Sequence, residues 1–212
     1  HPGSVAVVGA SPDPWSQAHR YLTHLRDFRF QGPVYAINPN YKEVLGLPCY
    51  PSLSSVPTNV DFVISCVPAA LTLDLVDECA AKGVKLLHLY TARFSETGRP
   101  AAADLEQALL QRVRQRGVRL LGPNCMGLYN PAAGLAFKYN FPHEPGNVAF
   151  MSQSGGHGAA VVLLASARGV RFSKAISFGN ALDLNEADFM EYLAEDPETD
   201  IIGAYMEGVR EG

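Results

Sequence analysis

Two hydroxyls, two glycines and a histidine stand together in MSQSGGHGAAVVLLASARG, residues 151–169, where a short apolar run passes into a longer one. A strand that ends in a tight turn and feeds a helix leaves the N–H groups of the first helical turn unpaired and facing outward. Ser152, Gln153, Ser154, Gly155 and Gly156 would form that turn, with the two serine hydroxyls beside the free N–H groups. Such a helix end is a seat for a phosphate or a carboxylate. A serine that only caps a helix after a strand has the same local signature, so the turn alone leaves both readings open. His157 stands in the first helical turn, and either this histidine or the helix end itself would carry the chemistry.

The elements that must position this turn are legible as an alternation. Apolar runs at residues 4–10, 33–38, 60–68, 85–91 and 118–123 read as strands, and amphipathic stretches at 19–28, 71–83 and 102–117 read as helices. Continuous apolar strands separated by amphipathic helices imply a parallel sheet covered on both faces, a doubly wound α/β domain. Leu105, Leu109, Leu110 and Val113 share one helix side, and Gly83 and Gly117 stand where helices end. A long loop rich in Gly, Pro and Asn, residues 122–147, then leads to a boundary near Pro145. The alternation restarts with strands at 147–151, 172–180 and 199–207 and helices at 156–168 and 186–196. Three parallel strands are half of an open sheet, so the last one is expected to present an unpaired edge and to favour association into an oligomer.

Composition narrows the function. The 212 residues are 47% hydrophobic with a formal charge of −4, an ordinary globular balance with no basic run interleaved with aromatics, so nucleic acid is not the expected partner. No apolar stretch approaches the roughly 20 residues of a membrane span, and the first residues lead into a strand rather than a leader. Cys49, Cys66, Cys79 and Cys125 are scattered without metal-site spacing, which predicts no metal centre, no disulfide framework and a cytoplasmic location. Cys66 and Cys79 read as small buried apolar residues.

In open α/β sheets ligands sit at the carboxyl ends of strands. The segments there are GASPDPW (9–15), NPNYK (38–42), VPAA (67–70), TARFSE (91–96) and GPNCMG (122–127). A dinucleotide fold would place G-x-G-x-x-G after the first strand and an acidic residue after the second, and both are missing. Lys42 follows the second strand instead, which suits an extra phosphate on the ribose, as in coenzyme A or NADP. Ser11 and the N–H groups after it would hold phosphate at the start of the first helix, although Pro12 and Pro14 each remove a donor. Trp15, in the same loop, reads as packing beneath it rather than stacking on a base.

Taken in order, SVAVVGASPDP, VYAINPNY, GLPCYPSLSSVP, VDFVISCVPA, FSETG, GVRLLGPNCMGLYNP, PGNVAFMSQSGG and LAEDPETDIIGAYMEGV cover nearly the whole chain. In this series the chain resembles the NDP-forming acyl-CoA synthetases, the group that holds ADP-forming acetyl-CoA synthetase and the alpha subunit of succinyl-CoA synthetase. The resemblance implies a Rossmann-like CoA-binding domain over residues 1–145 and, over 146–212, the first part of a flavodoxin-like, phosphate-handling α/β domain. It implies a CoA site made by Gly9, Ala10 and Ser11, by Asn38, Pro39 and Lys42, by Val67 and Pro68, by Ser95 and Glu96, and by Asn124 with Cys125 near the thiol. The turn from Ser152 to Gly156 is implied to seat the phosphate. Glu207 is implied to orient a phosphorylated histidine that relatives carry farther along, so His157 is not that residue. An ATP-grasp domain or subunit supplied elsewhere is the implied partner, and this chain alone is not expected to run the ligase reaction. Arg93 departs from the family pattern and would either contact a phosphate or block the pantetheine channel. Two other readings are a non-catalytic sensor of CoA or acyl-CoA and an NADP-binding Rossmann protein.

Overall fold

The computed structural model describes residues 1–209 and contains two sheets that share a core. The first is built around β1 (Val5–Val8), β2 (Val34–Ile37), β5 (Phe62–Ser65), β6 (Leu86–Leu89) and β7 (Arg119–Leu121), all parallel. Its spatial order is β3-β4-β2-β1-β5-β6-β7, where β3 (Glu43–Val44) and β4 (Leu47–Tyr50) form a small antiparallel pair at one edge. The alternation predicted the five parallel strands; the edge pair is broken by Gly46 and Pro48 and forms no apolar run.

Side chains alternate across this sheet, and each face meets helices. Val5 and Val7 point to α1 (Gln17–Asp27), which presents Ala18, Tyr21, Leu22 and Leu25. Ala6 and Val8 point the other way, to α2 (Thr72–Ala81) and α3 (Pro100–Arg116). Leu109 and Val113 are fully buried there, with Leu105 and Leu110 half-buried at the margin. Gly117 caps α3 and Gly83 follows α2, both in the left-handed backbone expected at a helix end. Cys79 is buried as expected, and Cys66 is only partly so.

The second sheet has the order β11-β9-β10-β8. Parallel strands β9 (Val148–Ser152), β10 (Phe172–Ser177) and β11 (Ile201–Tyr205) are the three expected, with α4 (Gly155–Ser166) and α5 (Glu186–Ala194) between them. The fourth, β8 (Gly127–Tyr129), lies inside the stretch read as a loop and runs antiparallel to β10. Gly127, Leu128 and Tyr129 stand among the Gly, Pro and Asn residues of that loop and form no apolar run of their own. Strand β11 stands at the edge among the described residues.

The two sheets meet where the chain leaves β7. Leu184, Leu182 and Asn180 donate their N–H groups to the carbonyls of Leu120, Gly122 and Pro123, so the segment after β10 runs along the exit from β7. A Cβ on Gly179 would lie 2.4 Å from the carbonyl oxygens of Pro123 and Asn124, and only glycine allows that approach. Residues 135–141 add Leu135, Phe137 and Phe141 to the α1 face of the first sheet, joined by Ala159 and Val162 of α4. Among the described residues no helix is long and apolar enough to cross a membrane.

Candidate functional site

The loops after β1 and β2 are tied to each other. Gly9 and Ala10 donate their N–H groups to the Ile37 carbonyl, while Asn38 Nδ2 donates to the Ala10 carbonyl at 2.8 Å and Asn38 Oδ1 accepts from Asn40 N–H at 2.9 Å. Pro39 and Lys42 are exposed beside them, and Lys42 has no ion pair among the described residues. Ser11 is not at the helix start: its hydroxyl accepts from Asp13 N–H at 3.1 Å, and the N-cap of α1 is Ser16, five residues on. The two prolines between them keep the chain from becoming helical so early. Trp15 is 82% exposed, so it does not pack beneath the loop as expected. Val67 and Pro68 lie just past β5, where the Val67 carbonyl accepts from the Thr91 hydroxyl at 2.5 Å.

Ser95 and Glu96 follow β6 in a short 3₁₀ turn, and their polar groups are hydrogen-bonded within the protein. Ser95 Oγ donates to Glu106 Oε1 at 2.7 Å, and Glu96 accepts from the N–H groups of Arg93 and Phe94. Asn180, from the loop after β10, donates to both carboxylates, at 2.8 Å to Glu96 and 3.0 Å to Glu106. Burial works to raise the Glu96 carboxyl, but the Asn180 amide and these N–H groups outweigh it and hold it below the usual range. Asn124 adopts a left-handed backbone, is exposed, and reaches Asn180 Oδ1 at 3.3 Å. Cys125 beside it is buried, and burial pushes its thiol well up, so it is an inert neutral group rather than a nucleophile. Its carbonyl meets His88 Nε2 at 3.1 Å.

At the start of α4 the two serines separate. Ser154 is the N-cap and accepts from His157 N–H at 3.3 Å; Ser152 is buried, and its hydroxyl donates to the Ser154 carbonyl at 2.7 Å. Ser152 therefore shapes the turn, its hydroxyl spent on a bond inside the protein. Gly158 N–H is the first to find an intrahelical carbonyl, which leaves those of Gly155 and Gly156 as the free donors of the turn. Gly155 is required by a neighbour: a Cβ there would lie 2.4 Å from Met126 Cγ. The His157 ring is exposed and rests on Tyr205 with centroids 4.5 Å apart.

Gln153 fastens the end of β11. Its Oε1 accepts from Glu207 N–H and from Gly208 N–H at 2.9 Å, and its Nε2 donates to the Gly208 carbonyl at 2.9 Å. This clamp brings Glu207 to an open cavity of about 390 Å³, lined also by Ser95, Glu96, Gln153, Gly179 and Asn180. The cavity thus joins residues expected for CoA with the residue expected for the phosphohistidine. Sequence reading missed Asn180 and Glu106. Asn180 follows a strand end and stood within reach of the strand-end rule; Glu106 sits inside a helix, where periodicity gives no sign of a buried carboxylate.

The family described as CoA binding domain matches residues 3–131, and the succinyl-CoA ligase like flavodoxin domain matches residues 145–212. An acetate-CoA ligase (ADP-forming) I of Archaeoglobus fulgidus is 45% identical over 214 residues, covering all of this chain and 31% of that one. The alpha subunit of acetate-CoA ligase (ADP-forming) II of Pyrococcus furiosus is 39% identical over 212 residues, covering all of this chain and 46% of the subunit. The solved structure of dinucleotide forming acetyl-coenzyme A synthetase 1 from Ca. Korarchaeum cryptofilum, in complex with phosphate and ADP, has a TM-score of 0.92 at 38% identity. That match covers all of this chain and 45% of the solved one, so this chain spans between about a third and a half of the relatives it matches. The chain belongs to the CoA binding domain family, through residues 3–131, and continues into residues 145–212, which match the succinyl-CoA ligase like flavodoxin domain.

Proposed function

We propose that the chain is the CoA-binding portion of an NDP-forming acyl-CoA synthetase, which interconverts a carboxylic acid, CoA and ATP with acyl-CoA, ADP and phosphate. Residues 1–145 would bind CoA and residues 146–212 would begin the phosphate-handling domain. The phosphohistidine and the ATP-grasp module come from a longer chain or from a partner subunit, and the assembly is cytoplasmic and oligomeric. The observation that carries this reading is the cavity in which Ser95 and Glu96 of one domain face Gln153 and Glu207 of the other.

The residues fit CoA at two points. Lys42 is an exposed, unpaired cation after the second strand, suited to the phosphate on the CoA ribose, and the Asn38 bridge fixes the two loops between which the nucleotide would lie. When bound, CoA supplies a thiol that accepts the acyl group, near Asn124. The chain's own residues do the rest. The free N–H groups of Gly155 and Gly156 bind the phosphate at the α4 end, where the helix dipole adds to them. Glu207, held through its backbone by Gln153, accepts a hydrogen bond from one ring nitrogen of the incoming histidine. That contact fixes the tautomer and leaves the other nitrogen free to carry the phosphoryl group.

Parallel calorimetric titrations with CoA and NADP test this reading. Saturable heat with CoA and none with NADP is the expected result; binding of NADP without CoA would replace it with an NADP-binding Rossmann protein.

A further inference from the structure

Arg93 carries a backbone that its residue type does not favour. Its φ is +80°, whereas the other four non-glycine residues with positive φ among the described residues, Arg29, Leu45, Asn124 and Ala181, lie at +51° to +58°, inside the small left-handed well. The turns after β1 and β7 use the same side of the backbone map, and there it is filled by Gly9 at +89° and Gly122 at +102°. At those two strand ends the chain has no Cβ to accommodate; past the end of β6 it carries an arginine.

The strain is held from both sides. Thr91 donates its hydroxyl to the Val67 carbonyl, and its own carbonyl accepts from Asn124 N–H at 2.9 Å. Beyond it, the N–H groups of Arg93 and Phe94 are both taken by Glu96, and Phe94 is fully buried. Neighbours that over-determine a backbone let such a residue persist, and strain of this kind collects at ligand sites. The side chain gains nothing inside the protein in return: it is exposed, and its guanidinium has no hydrogen bond or ion pair among the described residues. Glu96, three residues on, spends its carboxylate on those N–H groups and on Asn180.

We infer that Arg93 binds the diphosphate of CoA, as a second cation in the row of loops where Lys42 is the first. The inference rests on the reading of residues 1–145 as the part that binds CoA. Lys42 follows β2 and Arg93 follows β6, with β1 and β5 between them, so three strand spacings, about 14 Å, separate their strand ends. The nucleotide end of CoA carries two anionic groups, the ribose phosphate and the diphosphate, and two long side chains set that far apart can each reach one. An arginine offers a planar fork that holds two phosphate oxygens at once, which a point charge does not. A side chain that closed the pantetheine channel would be covered by the channel walls, and Arg93 is exposed.

Arg93→Gly and Arg93→Ala separate the charge from the strain. Both are titrated calorimetrically with CoA and with dephospho-CoA beside the intact chain, and all three proteins are unfolded in urea. Each variant should bind CoA about tenfold more weakly, and dephospho-CoA should weaken by the same factor, because the ribose phosphate is not the group Arg93 holds. The urea midpoint of Arg93→Gly should lie above that of Arg93→Ala, whose Cβ meets the same backbone. Tighter binding of CoA by the variants would make Arg93 a plug in the channel, and weakening confined to CoA would put it on the ribose phosphate; either result overturns the inference. A midpoint for Arg93→Gly no higher than for Arg93→Ala overturns it as well, by removing the strain. If the intact chain binds CoA and the variants bind it as tightly, the inference fails alone; if the intact chain binds neither ligand, the synthetase reading falls with it.

Discussion

Several side chains expected to contact a ligand spend their hydrogen bonds on other parts of the protein. Ser95 bonds Glu106, Glu96 caps its own turn and Gln153 clamps the β11 end. Residue type and position at a strand end were readable in the sequence; the partner of each polar atom was not, because partners such as Asn180 are 74 and 84 residues away. The two buried histidines give a prediction at this scale. His88 is enclosed by Tyr21, Phe62 and Gly127, with Nε2 on the Cys125 carbonyl and Nδ1 unpartnered. Burial lowers His88 and His24 alike to about 4. The folded state thus takes up protons less readily than the unfolded one, so stability is full above about pH 6.5 and is lost as pH falls toward 4. Between pH 7 and pH 5 each histidine should cost about 2 kcal/mol. Urea unfolding at the two pH values checks this: His88→Gln, which retains a donor for Cys125, should remove about half of the loss, and an unchanged loss would contradict it.

At the scale of elements, α4 was legible to within one or two residues because an apolar run of helical length follows a Gly/Ser turn. The expectation that both serines flank the free N–H groups was half right, since β9 continues through Ser152 and buries it. Strands β3, β4 and β8 were not legible because Gly, Pro and Asn interrupt or flank them, and β8 drew the second sheet back into what reads as a loop. Ser154→Ala removes the α4 cap on His157 N–H and should lower stability by about 1 kcal/mol. Thermal melting is the check, with a midpoint about 2–4 °C lower for a chain of this size. No change would mean that the turn is held by the buried Ser152 bond instead.

The whole molecule is organised by the meeting of two sheets at the exit from β7, where Gly179 lies on Pro123 and Asn124. Asn180 then reaches across to the first domain, so the loops that face CoA in this account are braced by the second domain. Each half could be drawn from the alternation of strands and helices, but the contact between them could not, because it rests on backbone carbonyls and a missing Cβ that no side-chain pattern records. If the first domain grips CoA partly through Lys42, calorimetric titration of the intact chain and of Lys42→Ala with CoA and dephospho-CoA will show it. The account predicts that the intact chain prefers CoA by about tenfold, or 1.4 kcal/mol, and that Lys42→Ala binds both ligands equally. Equal binding of CoA and dephospho-CoA by the intact chain, or an undiminished preference in Lys42→Ala, would contradict it.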